Sequence, residues 1–221
     1  MYTRVNAVRA APAILLAALL ALPVPILSEP AATPRTLSVW FESATVKVKP
    51  QDPALASSAV WDGSAIRLSA ARGEHEAFQA VIDVPADISG MVTLSPIAGQ
   101  ITFPADSVEF YKVEHPTATN TEWPDPLVPL PVPSIVPLAA GQNNPVLADI
   151  LVPRDAPAGQ YFANLTVDTG AISVVTPLVL TVWDITLPEK NALQTWFDDS
   201  SSSWASPYGY QPWSSEHQAL M

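Results

Sequence analysis

The chain has 221 residues, 24 of them Pro and 8 Gly, no Cys and a formal charge of −11. Hydrophobic residues make up 48% and charged ones only 14%, against about 25% charged in an average soluble domain. That composition excludes intrinsic disorder, collagen, a disulfide scaffold and a Cys-ligated metal centre, and ten Lys+Arg against 21 Asp+Glu argue against a nucleic-acid partner.

The first stretch reads as an export signal. Arg4 and Arg9 precede an uncharged run rich in Ala and Leu over 10–27, and Ser28 closes it. Charged, apolar and small-residue regions in that order mark a secretory signal peptide, residues 1–28. A retained membrane anchor is the competing reading, because the run is near the roughly 18 residues that span a bilayer. Pro23 and Pro25 leave about 13 clean helical residues and favour cleavage, placed after Ser28. The expected location is secreted or periplasmic, with no membrane attachment after cleavage. Removing 1–28 takes away Arg4 and Arg9 and leaves eight basic against 21 acidic residues, a charge of −13. Such a charge opposes binding to anionic surfaces.

Period-two alternation dominates after Arg35. Val39 and Phe41 lead into Val46 and Val48, with Lys47 and Lys49 pointing out. Ile66, Leu68 and Ala70 follow a turn at Trp61, Asp62 and Gly63. Phe78, Ala80, Ile82 and Val84 form one face, with Gln79 and Asp83 opposite. Shorter runs lie at 91–94, 100–103 and 108–113. The pattern returns at Ala148, Ile150 and Val152, then at Tyr161, Ala163, Leu165 and Val167, and last at Leu178, Leu180 and Val182. The expectation is an all-β fold, an antiparallel β-sandwich of about nine strands over 36–190 with no helical stretch. Residues 116–145 differ: prolines at 124, 126, 129, 131, 133 and 137 forbid a central strand and favour an extended path. A ligand for a proline-recognising domain is the exotic alternative there.

Beyond 190 the character changes. Residues 193–197 read as a short strand, 198–213 as a polar and aromatic loop, and Ser215 with Gln218 as a capping box opening a helix. Only one turn fits before Met221, far below the roughly 12 residues that make a marginal helix. The expectation is a short C-terminal stub, 193–221, of a truncated (β/α)8 barrel.

Four blocks together resemble the N-terminal sandwich of glycoside hydrolase family 123 and the DUF4091-type proteins related to it. They are Ala71-Arg-Gly-Glu-His-Glu-Ala-Phe-Gln-Ala-Val-Ile82 and Trp123-Pro-Asp-Pro-Leu-Val-Pro-Leu130, then Gln142-Asn-Asn144 through Val152-Pro-Arg-Asp-Ala-Pro-Ala-Gly-Gln-Tyr161, and Val182-Trp-Asp-Ile-Thr-Leu-Pro188. They keep their order over about 37–200. The resemblance implies a catalytic (β/α)8 barrel after the sandwich and removal of N-acetylgalactosamine from glycans. In that chemistry the substrate's own acetamido oxygen attacks the anomeric carbon. An adjacent Asp orients the charged ring, and a Glu protonates the leaving oxygen. Both carboxylates would lie in the barrel, so no catalytic residue carries over, and no cofactor or metal is implied.

Several constellations carry candidate chemistry. His75-Glu76-Ala-Phe-Gln79 is one residue short of His-Glu-x-x-His, and on a strand its ends lie about 13 Å apart, too far to share an ion. Arg72 and Glu74 are expected to pair and fix the turn, with Gln79 satisfying backbone groups of a neighbouring loop. Asp125, between two prolines, is either a ligand-binding carboxylate or an acceptor for its own turn, the commoner role. Asn164-Leu-Thr166 is a formal glycosylation sequon on an outward face. Asp198 and Asp199 follow a strand end, with Trp196, Trp204, Tyr208, Tyr210 and Trp213 nearby. Aromatic faces stack on sugars and carboxylates accept from hydroxyls, so Trp196, Asp198, Asp199, Trp204 and Tyr208 are the candidate substrate-binding set. A solvated domain junction is the alternative.

The reading is a non-catalytic N-terminal domain of an exported glycoside hydrolase. Its partner is a glycan substrate held by the missing catalytic domain. The 221-residue chain itself is expected to be inactive. The alternative is a free-standing exported sandwich that binds glycan or protein.

Overall fold

The computed structural model describes residues 36–116, 123–190 and 209–218, without the His217 side chain. Among the described residues, ten strands form two five-stranded sheets. The first sheet orders β1 (Ser38–Ser43), β3 (His75–Asp83), β8 (Asn144–Leu151), β5 (Val108–Val113) and β6 (Leu127–Pro129). The second orders β2 (Ile66–Arg72), β10 (Ser173–Thr186), β9 (Gly159–Asp168), β4 (Ile88–Leu94) and β7 (Ser134–Leu138). The all-β sandwich read from the alternation is the fold that forms.

The core lies between the sheets. Phe41, Phe78, Ile82 and Ile150 of the first meet Ile66, Tyr161, Leu165, Leu178 and Leu180 of the second, all nearly inaccessible. Each such side chain contributes roughly 1.5–3 kcal/mol by burial, before chain entropy is set against it. The Tyr161 hydroxyl keeps a partner by donating to the Pro157 carbonyl at 2.8 Å. Its ring lies 4.8 Å from that of Phe103.

One pair departs from the antiparallel expectation. β2 and β10 run parallel, from Ile66 opposite Leu178 to Ala70 opposite Val182. The two strands are remote in sequence, so no hairpin dictates their sense. The run at 100–103 is not a strand. Pro96 interrupts the path after β4, Ala98 makes isolated bridges to Thr102 and Phe162, and Gly99 donates to Ile101 in a tight turn. A Cβ on Gly99 would lie 2.6 Å from the Gln160 carbonyl oxygen, so only glycine lets the turn sit against β9.

The chain changes sheets between β2 and β3 in two residues. Gly73 has φ +75°, a conformation glycine adopts freely. Its N–H donates to the Val152 carbonyl at 2.9 Å. Glu74 accepts from the Ala71 N–H at 2.6 Å. The expected Arg72–Glu74 pair does not form. Arg72 turns instead to Asp184 and to the Thr186 hydroxyl on neighbouring β10, because β2 lies beside that strand.

Prolines follow ladder logic. β6 and β7, which the proline-rich stretch supplies, are both edge strands, where a missing N–H breaks nothing. Pro177 sits in β10 opposite Asn164, whose N–H and C=O both bond Ser95 on the far side. The proline nitrogen therefore faces away from β9, at a level β2 has not reached.

Alternation breaks down in β3. Phe78, Gln79, Ala80, Val81 and Ile82 are all buried, because residues 44–52 fold over the outer face of the first sheet. The expected extension through Val46 and Val48 is a turn and loop; Val46 is exposed, whereas Val48 packs with Trp40 and Val81. Gln79 lies on the outward side but donates to the Ser43 and Val46 carbonyls, both at 2.8 Å, the role its sequence context predicts. Further on, Asp62 accepts from the Ser64 hydroxyl and from the Ser64 and Ala65 N–H groups. These donors hold its carboxyl well below the usual carboxylate range. Replacing Gln79 by Ala would leave two carbonyls short of donors, and urea unfolding should read a loss of about 2 kcal/mol; an unchanged midpoint would mean that the loop needs no such anchor.

Candidate functional site

Trp196, Asp198, Asp199, Trp204 and Tyr208 lie outside the described residues, as do the expected strand at 193–197 and the signal segment. Tyr210 and Trp213 are described and exposed. A helical turn, α1 (Ser215–Gln218), follows them. Gln218 donates through its backbone to the Ser214 carbonyl and through its side-chain amide to the Trp213 carbonyl. The N-cap is therefore Ser214, one residue before the expected Ser215, because the chain enters the turn with Trp213 at φ 67°.

The near-zinc motif is structural. His75 Nδ1 lies 3.1 Å from an Asp149 carboxylate oxygen on β8. Among the described residues no three His, Asp or Glu side chains gather at a common point that could hold a metal. Asp125 does not act as an acceptor within its own turn. It pairs with Lys47 Nζ at 2.9 Å, with both side chains largely solvated, because the covering loop runs beside it. Asn164 points outward from β9, as its sequon implies.

A concavity of about 800 Å3 opens at one end of the sandwich. Four chain segments converge there: the covering loop at Pro50 and Gln51, the start of β4, the end of β5, and the stretch from β7 into β8. Its polar lining includes Asp87, Ser89, Lys112, Glu114, Gln142 and Asn143. Lys112 Nζ lies 2.8 Å from Glu114 Oε1. Asn143 is buried and donates twice through Nδ2, to the Lys49 and Asp52 carbonyls, both at 2.9 Å. Its N–H donates to the Pro50 carbonyl at 2.8 Å. One side chain thus fixes the cleft wall to the loop.

The Trp123-Pro-Asp-Pro segment adjoins this cleft. The Asp125 N–H donates to the Glu114 carbonyl at 3.3 Å, and the Glu114 N–H to the Pro126 carbonyl at 2.9 Å. Lys49 Nζ stands 4.2 Å from the centroid of the Trp123 ring, a cation–π distance. Trp123 is nonetheless 50% exposed. Sequence reasoning quoted Trp123 and Asn143 only as parts of a resemblance. It missed Lys112 and Glu114, whose alternation in β5 resembles any strand end. A second, apolar cleft of about 440 Å3 lies between β4 and β5.

The described residues define a two-layer, all-β sandwich. No family model and no curated protein matches the chain. Among solved structures, a family 123 glycoside hydrolase from Clostridium perfringens, described for hydrolysis of glycolipid glycans, is similar at a TM-score of 0.53 and 14% identity. The likeness covers 70% of this chain and 28% of that one, so the chain matches little more than a quarter of the enzyme's length. At this identity it shows a shared fold. PapD-like domain 7 of human CEP192 (TM-score 0.32, 12% identity, 73% and 96% covered) and the SrpA adhesin of Streptococcus sanguinis (0.32, 14%, 52% and 54%) are too distant to carry an argument.

Glu76 lies on the inward side of β3, in the row of Phe78. Burial pushes its carboxyl above the usual range, and the Glu74 charge adds to the shift. A raised folded value favours the protonated form. The contribution to stability is therefore full below the unfolded value near about 4.3 and is lost as pH rises through the folded value. Glu76→Gln should raise the unfolding midpoint at about pH 7 and change little at about pH 3.5; equal effects at both would show that charge is not the cause.

Proposed function

We propose that residues 36–190 are a non-catalytic sandwich domain of an exported glycoside hydrolase acting on N-acetylgalactosamine-containing glycans. The observation that carries this reading is the agreement of two independent signals. The sandwich matches a family 123 glycoside hydrolase over 70% of the chain. The four ordered sequence blocks resemble the same family. In this reading the signal peptide over 1–28 directs export, and residues 193–221 begin the catalytic barrel. The acid and the orienting carboxylate reside in that barrel, where the substrate's acetamido group attacks the anomeric carbon.

The sandwich would contribute rigidity. Its strands carry a continuous core, and its exit strand β10 is 14 residues long. Trp183 and Ile185, at the end of that strand, remain about half exposed, at a register shift between Val182 and Thr186. A bulge of this kind re-aims side chains outward and gives the next domain an apolar seat.

The purified 221-residue chain should not turn over an aryl N-acetylgalactosaminide above a buffer blank. General acid catalysis alone is worth about 10²–10⁴-fold, so its absence is readily measured. Turnover by the pure chain would place the chemistry within these residues and overturn the accessory role.

A further inference from the structure

We propose that the end cleft is a carbohydrate-binding site of the sandwich itself, with Trp123 as the stacking face at its rim and Ser89, Glu114 and Gln142 as partners for sugar hydroxyls. The proposal needs no catalytic domain and would stand if the accessory reading failed.

Size is the first argument. About 800 Å3 falls in the roughly 300–1,000 Å3 range of small-ligand sites and suits an oligosaccharide better than a lone ion. Chemistry is the second. Sugars present many hydroxyls and few charges, and the lining answers with amides, a hydroxyl and carboxylate oxygens. Ser89 and Gln142 make no side-chain hydrogen bond among the described residues, so their donors and acceptors stand available. Glu114 pairs with Lys112 through one oxygen, which leaves the second as an acceptor. The exposed apolar residues of the lining, Ile88 and Pro137, match the C–H faces of a pyranose. The excess of acidic residues over the chain, 21 against ten basic, disfavours phosphorylated or sulfated ligands.

Preorganisation is the third. Trp123 does not itself line the cleft but is tied to its wall by two routes. Lys49 touches its ring at 4.2 Å and accepts from Asn143 in the cleft wall. Glu114, also in the wall, is laddered to Asp125 and Pro126, two and three residues beyond the ring. Pro124 and Pro126 restrict the backbone between them. A half-exposed aromatic fixed in this way loses little freedom when a sugar stacks on it.

The test is calorimetric titration of the purified chain with three probes: maltotriose, chitotriose and a trisaccharide ending in N-acetylgalactosamine. At least one should bind with saturable heat. Trp123→Ala should weaken that binding by about tenfold or more, the loss of one stacked face, while Trp123→Phe retains most of it. Gln142→Ala should also weaken it. Phe162→Ala, on the exposed outer face of the second sheet, should not. Near-ultraviolet circular dichroism separates lost binding from lost fold, and Gln142→Ala reports on the site should Trp123→Ala misfold. Absence of binding by all three probes, or binding untouched by Trp123→Ala and Gln142→Ala in folded protein, overturns the proposal. The accessory-domain reading is judged separately, by turnover rather than by binding.

Discussion

The loop over residues 44–52, pinned to the outer face of the first sheet, is the constraint on which the rest of the structure depends. β3 and β8 are central strands with apolar side chains on both faces, Phe78 and Ile82 inward and Val81 outward, all inaccessible. A sandwich covers only one face of each sheet. The outer face near β1 must find another cover, and the loop supplies it with Val48 against Trp40 and Val81. Loop backbone laid on a sheet must have its polar groups satisfied. The Gln79 and Asn143 side chains take three of its carbonyls, those of Val46, Lys49 and Asp52, and His115 Nε2 lies 3.0 Å from a fourth, that of Val48.

The same loop shapes the functional surface. Its bonds to Asn143 and His115 form one wall of the end cleft, and its two lysines hold the Trp123-Pro-Asp-Pro segment, Lys47 through Asp125 and Lys49 through the indole. Packing and recognition are therefore coupled: a change that loosens the cover also releases the aromatic at the rim. At the other end, the Gly73–Glu74 crossover, with the Gly73 N–H on the Val152 carbonyl, ties the two sheets together, while Arg72 braces β2 against β10 within the second.

Much of the fold was legible because strand burial follows period two. Ile66, Leu68 and Ala70, and Tyr161 through Val167, read inward from the sequence and lie inward in the structure. The failures have physical causes. Gln79 looked outward by period, and only the covering loop buries it. Residues 127–129 and 134–138 looked barred from a central strand, and they form edge strands, where their prolines are tolerated. Asp125 looked like a turn acceptor until Lys47, 78 residues away, reached it. The cleft could not be read at all, since Pro50, Asp87, Lys112 and Asn143 belong to four segments that only the sheet topology brings to one end. The candidate set at 196–208 came from strand-end position, a weaker signal than packing.

Native-state hydrogen exchange on the purified chain tests the central claim directly. If the loop is a structural cover, the N–H groups of Lys49 and Asp52, which bond Asp52 and Lys49 in turn, and that of Asn143 should open only with the sandwich and match the protection of β8. Exchange of these amides as fast as that of the exposed residues 54–56 would contradict it, and would show that the first sheet holds its outer face without the loop.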